Sequence, residues 1–417
     1  MSLNKNENVI PLEYIRKLIP LRDIPVQSLQ KIAHESPLIP FPAGRLLFNR
    51  GQQDNVYIYL VKGRVELVGQ DDAEVIEGGT SASYIPLDNH QPRQCTARAL
   101  TDVQILRISK NLIDISSYSA GDDQNGVMLE EIYEDDENIR NKLAYRIYND
   151  YLNGDLKLAS LPEIALRVSK SVKNENNSAY DVAKIIQSDP VIAGQVIKVA
   201  NSPLYRTDTI ITSCPAAVSR IGLLHTRDIV TALAIKQLFK PKTKLVTKRM
   251  NTLWKHSTHV AAISSVIAKM IPALNSDRAL LAGLIHDIGA QAILSYAEQF
   301  PDLIDNKQIL DETILSLRGQ MGALVLRNWS MASDLVTVAL EAEEWGRDSV
   351  NGPDYCDVVM VAQIHSYVGS ETPVGIPRLI DTKAFQKLPL SRSGPEKSIE
   401  ILNSAREQIR DMRVLLT

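Results

Sequence analysis

Residues 185–205 read IIQSDPVIAGQVIKVANSPLY, and this stretch decides the class of most of the chain. Asp189 is suited to capping the free N–H groups at a helix start. Pro190 follows in the first turn, where a missing N–H costs little. VIAGQVIKVAN continues the helix until Asn201, which suits the close of a helix or turn. The same punctuation recurs on both sides. Upstream, Pro162 stands just inside LPEIALRVSKSV, where Leu161, Ile164, Ala165 and Val168 share one helical face. Ser178 and Asp181 open DVAKIIQSD. Downstream, Ser213 and Pro215 repeat the cap-and-proline start before AAVSRI, and Gly222 ends that helix. Further helices are expected at 224–239, 249–271, 277–297, 306–328, 331–345 and 354–369. After a proline-containing loop, 395–415 carries Leu402, Ala405, Ile409, Met412 and Leu416 on one face.

Before residue 112 the period changes. Ile15, Leu18, Ile19, Leu21, Leu29 and Ile32 fit short amphipathic helices with turns at Pro20 and Pro25. Then LIPFPAGRLLFNRGQQDNVYIYLVKGRVELVG (38–69) gives short apolar runs separated by Gly44, Gly51, Gly63 and Gly69. Val56, Ile58 and Leu60 alternate with Tyr57 and Tyr59, and Val65 and Leu67 flank Glu66. VQILRI, ending at Ile108, is the last strand signal. Short strands with glycine turns at close spacing predict a β-sandwich or β-barrel. GDDQNG and EEIYEDDENIRNK then make an acidic connector with a helical end. The expected fold is therefore α+β and multidomain: a β-roll at 10–112, a connector at 113–155, an all-α domain at 156–370, and a loop with a C-terminal helix at 371–417.

Composition narrows the function. In 417 residues, 46 Lys and Arg face 49 Asp and Glu, a net charge of −3. That balance argues against a broad nucleic-acid footprint. Cys95, Cys214 and Cys356 form no CxxC pair, which argues against a disulfide framework or thiolate zinc site and for a reducing compartment. The N-terminal MSLNKNENVIPLEY has no apolar signal region, and no apolar run approaches the roughly 18 residues of a membrane span. A cytoplasmic protein with no membrane partner is expected.

LPEIALRV, IIQSDPVIAGQVIKVANSPLY, AVSRIGLLHTRDIV, LWKHS and AGLIHDIG, taken together, resemble successive blocks of an HDOD domain over about residues 155–350. Such domains are relatives of HD phosphohydrolases generally regarded as having lost catalysis, and they occur in bacterial signalling proteins. The resemblance makes His256, His286 and Asp287 the candidate metal ligands, since HD enzymes use such residues to hold a divalent metal that activates water. It also shows departures. Gln363 in VVMVAQIHSYV stands where a further Asp ligand belongs, Ala290 stands where a Lys follows the HDIG run, and EAEEW (341–345) replaces the later histidines of cyclic-di-GMP-cleaving relatives. The set is incomplete. The alternative reading makes the two histidines buried polar residues that bridge helices, with Asp287 orienting one of them. His225, His259 and His365 are expected at the surface or in the core.

FPAGRLLFNRGQQDNVYIYLVKGRVELV resembles the opening hairpins of a cyclic-nucleotide-binding domain, with Gly44, Gly51 and Gly63 as its turn glycines, over about residues 15–115. The resemblance aligns Arg93, in SASYIPLDNHQPRQCTARA, with the arginine that neutralises the cyclic phosphate. The cassette is degenerate: its Gly and Glu are absent, and Pro86 removes an N–H. Arg98 is a substitute cation of undetermined direction. No helix-turn-helix follows the β domain. The expected function is noncatalytic signal transduction, in which a degenerate cyclic-nucleotide-binding-like sensor is coupled to an HDOD module that docks other signalling proteins. A homodimer through the C-terminal helix is an alternative assembly. The alternative functions are a metal-dependent phosphodiesterase and a cyclic-nucleotide-responsive regulator, so a divalent metal and a cyclic nucleotide are the candidate cofactors.

Overall fold

Two units divide the chain in the computed structural model, one of Met1–Lys157 with Asn306–Thr313 and one of Leu158–Asp305 with Ile314–Thr417. The structure describes 10–113 except 19–20, 22–25, 70–72 and 91. It also describes 156–393 except 203–204, 206, 208, 237, 239–240, 301–305, 350–351, 369–372 and 374, with isolated positions in 143–150 and 399–413. The acidic connector read at 113–155 therefore lies almost wholly outside the described residues. So do Ala405, Met412 and Leu416 of the expected C-terminal stripe, whose described positions are helical, with Ile409 buried.

The first unit is a β-roll behind two short helices, α1 (Leu12–Ile15) and α2 (Val26–Glu35). Its strands are β1 (Leu38–Phe41), β2 (Leu46–Phe48), β3 (Val56–Lys62), β4 (Arg64–Val68), β5 (Ala73–Glu77), β6 (Thr96–Ala99) and β7 (Val103–Ser109). They form antiparallel sheets in the orders β1-β7-β3 and β2-β6-β4-β5. The alternation along β3 has a different meaning from a buried face and a wet face. Ile58 and Leu60 pack inside the roll with Phe48, Val65 and Ile76. Tyr57 and Tyr59 are equally buried, on the opposite face, with Ile15, Leu29 and Ile32 of the helices. Gly63, at φ 88°, makes the β3–β4 turn; a Cβ there would also press on the Val103 side chain at 2.8 Å.

The second unit is all helical among its described residues, and the first seven residues of its helix Lys307–Asn328 fall in the first unit. The helices are α3 (Glu163–Lys173), α4 (Ala179–Ile186), α5 (Pro190–Ala200), α6 (Cys214–Ile221), α7 (Leu223–Ile235), α8 (Lys244–Ala268), α9 (Ser276–Ile285), α10 (Ile288–Ala297), α11 (Lys307–Asn328), α12 (Ser333–Glu341), α13 (Tyr355–Ser366) and α14 (Lys383–Lys387). Local capping chemistry sets several starts. Ser178 and Asp181 form a reciprocal capping box, and Asp189 accepts from the N–H groups of Val191 and Ile192. Ser213 makes no side-chain cap bond, so Pro215 alone marks that start. Thr243 caps α8 by accepting from the Val246 N–H, so the helix begins five residues before its expected start.

The helix expected at 277–297 is two helices. Asp287 leaves the helical region at φ −107° and ψ 20°, so His286 and Asp287 sit at a break. Just after the break the chain packs on another helix: a Cβ on Gly289 would overlap the Arg318 carbonyl of α11, so the first turn of α10 meets α11 backbone to backbone. The run Ser276–Ala297 is long and apolar enough to cross a membrane, but 94% of its apolar window is buried inside the fold, as in the core helix of a globular domain.

Candidate functional site

His256 lies on α8, His286 follows α9, and Asp287 precedes α10. Gly283 lets α8 and α9 approach, for a Cβ on it would stand 2.7 Å from the Ala261 Cα. The result brings the three sequence-identified residues together, with one ligand atom from each inside a 4.8 Å span. The two imidazoles meet edge-on with centroids 5.3 Å apart, and Tyr367 stacks on His256 at 5.4 Å. His286 Nδ1 lies 2.8 Å from the Gly283 carbonyl, which assigns it the donor role and leaves Nε2 with its lone pair. That Nε2 is buried and makes no hydrogen bond among the described residues. Asp287 Oδ2 is 3.9 Å away.

A cation already stands at this corner. Arg318 of α11 places Nη1 3.5 Å from Asp287 Oδ1, and its Nη2 pairs with Glu343. Burial pushes His256 down to about 4, with His286 adding to the effect and Asp287 opposing it. Burial lowers His286 as well. Burial alone would raise the Asp287 carboxyl, but His286 and Arg318 outweigh it and hold the group below its ordinary value. At neutral pH the corner therefore holds two neutral imidazoles, with the Asp287 and Glu343 carboxylates paired to one guanidinium.

The donor types suit a divalent metal, and the unpartnered Nε2 points to a ligand role. The charges do not suit it. At an effective dielectric near 20, unit charges about 4 Å apart interact by about 4 kcal/mol, so a dication beside a guanidinium meets roughly twice that repulsion. The two carboxylates, Asp287 and Glu343, are both already engaged by Arg318, so a dication added to them leaves the corner positive. Gln363, where an anionic ligand was expected, is buried and donates from Nε2 to the Ala342 carbonyl at 2.8 Å. The residues present do not fit a divalent metal while Arg318 is in place.

The β-roll cassette is closed by the opposite substitution. Arg93 is fully buried and engaged within the protein. Its Nη2 donates to Asp54 Oδ1 at 2.5 Å and to the Val56 carbonyl at 2.8 Å, and its Nε donates to Asp54 Oδ2 at 3.2 Å. Its Nη1 donates to the Asp88 carbonyl, and the guanidinium lies 4.6 Å from the centre of the Phe48 ring. Cassette N–H groups are taken too. The Asp88 carboxylate accepts from the backbone of His90 at 3.0 Å, Gln94 at 2.7 Å and Cys95 at 3.1 Å, and from the His90 ring at 2.8 Å. Burial would raise the Asp88 carboxyl, but these hydrogen bonds and the His90 imidazole hold it down at about 2. Arg98 is exposed, on β6 opposite Glu66, and does not substitute for Arg93.

Other histidines have structural roles. His225 Nε2 meets the Asn275 amide at 2.7 Å, and His225 Nδ1 lies 3.1 Å from the Ile221 carbonyl. His365 is buried, which pushes it down to about 4, and burial also lowers His259. Asn201 ties the ANSPLY segment to the chain ahead of α6 through the backbone of Ile211. Sequence reasoning missed Arg318, Glu343, Tyr367, Asp54 and Asp88. Asp88 carried a faint signal, as an acid inside a cassette meant for an anion; Asp54, between β2 and β3, carried none.

Two family models match the chain, that of the HDOD domain over residues 158–345 and that of the cyclic nucleotide-binding domain over residues 38–114. Among solved structures the chain is similar to a candidate metal-dependent phosphohydrolase of Shewanella amazonensis SB2B. The identity is 27% and the TM-score 0.58, over 67% of this chain and 99% of that one. It is also similar to an HDOD domain protein of unknown function from Geobacter sulfurreducens, with 22% identity, a TM-score of 0.48, and coverage of 67% and 98%. A candidate signal transduction protein of Marinobacter aquaeolei VT8 aligns over 94% of this chain and 100% of its own, at 16% identity and a TM-score of 0.46. No curated protein matches.

Proposed function

We propose that this chain, a cyclic nucleotide-binding-type domain joined to an HDOD domain, is a noncatalytic regulatory protein that acts by contact with other signalling proteins. One observation carries the reading: the carboxylate that HD chemistry would give to a metal, Asp287, faces the Arg318 guanidinium instead. The closed Arg93 cassette supports a β-roll that keeps its shape without a nucleotide. Signalling then proceeds as a population shift, in which a partner favours one arrangement of the modules. The three cysteines are free, which supports a cytoplasmic, reducing setting.

The experiment is a turnover assay of the purified full chain with cyclic-di-GMP, cAMP, cGMP and a chromogenic phosphodiester. Each is run with Mg²⁺, Mn²⁺ or Ni²⁺ and compared with His286→Ala. The expected result is no turnover above the variant's background. Metal-dependent hydrolysis lost in His286→Ala would overturn the proposal. It would instead favour the second reading, a metal-dependent phosphohydrolase, which rests on the unpartnered His286 Nε2 and the likeness to the Shewanella amazonensis protein.

A further inference from the structure

We infer that Arg318 is the resident cation of the His256–His286–Asp287 corner, and that removing its charge turns the corner into a divalent metal site. The inference concerns binding and not turnover, so it can fail without the regulatory reading failing, and the reverse.

Three observations carry it. First, the corner is arranged for a ligand that Arg318 does not replace completely. The ring of His286 is fixed by its Nδ1 contact with the Gly283 carbonyl, and the opposite nitrogen is buried without a hydrogen bond among the described residues. Imidazole–carbonyl contacts of this kind orient metal-binding histidines, and buried polar atoms are seldom left unpaired. The Arg318 guanidinium, itself a donor of five N–H groups, reaches Asp287 and Glu343.

Second, Arg318 is built into the corner. A Cβ on Gly289 would overlap the Arg318 carbonyl and stand 2.5 Å from the Gly322 nitrogen, so the α11 backbone lies directly against the start of α10. Asp287 and Glu343 then hold the guanidinium from two sides. Third, the charges close only one way at a time. Asp287 and Glu343 supply two negative charges. With Arg318 present, a dication leaves the corner positive; without Arg318, the same dication is balanced. The guanidinium and the metal are therefore alternative occupants.

The test uses Co²⁺ as the probe, because its visible d–d absorption reports imidazole and carboxylate ligation directly. Full-length wild type, Arg318→Gln and Arg318→Met are titrated with Co²⁺, and each variant is also made with His286→Ala. Wild type is expected to show no d–d band up to millimolar Co²⁺. Both variants are expected to bind one Co²⁺ per chain at least about 100-fold more tightly, a floor well inside what removal of one like charge a few ångströms from a dication gives. The band is expected to vanish when His286→Ala is added. The inference is overturned if wild type binds within about threefold of the variants. It is also overturned if a folded variant shows no band, or if the band survives His286→Ala. A variant that fails to fold without metal is refolded with Co²⁺: recovery supports the exchange, and failure of both variants to recover overturns it.

Discussion

The two ligand cassettes are closed in opposite senses. In the β-roll, an arginine that would meet an external anion meets Asp54. In the helical unit, a carboxylate that would meet an external cation meets Arg318. The closures differ in tightness. The Arg93 side chain is 0% exposed, paired twice with Asp54 and bonded to two backbone carbonyls. The Arg318 side chain is 23% exposed, stands 3.5 Å from Asp287, and leaves a neighbouring imidazole nitrogen without a hydrogen bond among the described residues. A ligand for the first site has to break a desolvated, multiply bonded pair. A ligand for the second has only to win against one charge. Loss of a binding site is thus not a single condition: one cassette has become core, and the other remains one side chain from use.

Asp54→Ala gives the sharpest test of that contrast. It leaves a guanidinium buried without its counter-charge, a change that typically costs about 3–5 kcal/mol. The loss should appear as reduced hydrogen-exchange protection of the β3 and β7 amides. Unchanged protection would mean that the Arg93 cassette is not sealed, and the comparison would break on its stronger side.

Acid should separate the units next. All three tryptophans, Trp254, Trp329 and Trp345, lie in the helical unit, so tryptophan fluorescence follows that unit alone. Burial lowers His256 and His365 to about 4 from 6.5. Below pH 6.5 the unfolded chain takes up protons that the folded chain refuses until about pH 4, so stability falls as pH drops through that window. At pH 5 the expected loss is about 2 kcal/mol for each of the two histidines. Asp88 behaves otherwise. Held at about 2 instead of 3.8, it contributes stability that is present above pH 4 and lost only as pH falls toward 2. Urea titrations at pH 7.5 and 5 should therefore shift the tryptophan transition and leave β3 and β7 protection unchanged. Equal sensitivity in both units would sink the distinction.

How much of this could be read from the sequence follows the range of the forces involved. The change from strands to helices near residue 110 was legible, because side-chain period is local. So were the starts at Ser178 and Asp189, where a side chain caps N–H groups two or three residues away. The break at His286–Asp287 was not: the apolar run continues through it, and Gly289 beside it packs on a helix about thirty residues later. The faces of Tyr57 and Tyr59 were hidden for a similar reason: α1 and α2 cover what an isolated sheet would leave wet. The motif residues His256, His286 and Asp287 were found; Arg318 was not, since an arginine within an amphipathic helix reads as a solvated charge. Gly289→Ala tests that long-range account. Forcing a Cβ against the α11 backbone should cost about 3 kcal/mol and displace Arg318. A tryptophan-monitored transition within about 0.5 kcal/mol of wild type would show that the helices part easily.

The smallest expected effect decides whether the two closures are different in kind. Arg318→Gln removes a partly exposed pair whose nearer partner, Glu343, is itself part exposed and can be hydrated when left alone. Exposed and half-exposed pairs are worth about 0–1 kcal/mol, and relief at the buried Asp287 is incomplete, so the expected loss in the tryptophan transition is about 1 kcal/mol. A loss matching that of Asp54→Ala would place Arg318 in the core on the same footing as Arg93, with no site left to reopen. A loss near 1 kcal/mol, against several for Asp54→Ala, fits two unequal closures: in the β-roll the internal ion pair has become necessary to the fold, whereas in the helical unit the cation occupies a corner that the surrounding helices, held by Gly283 and Gly289, already shape without it.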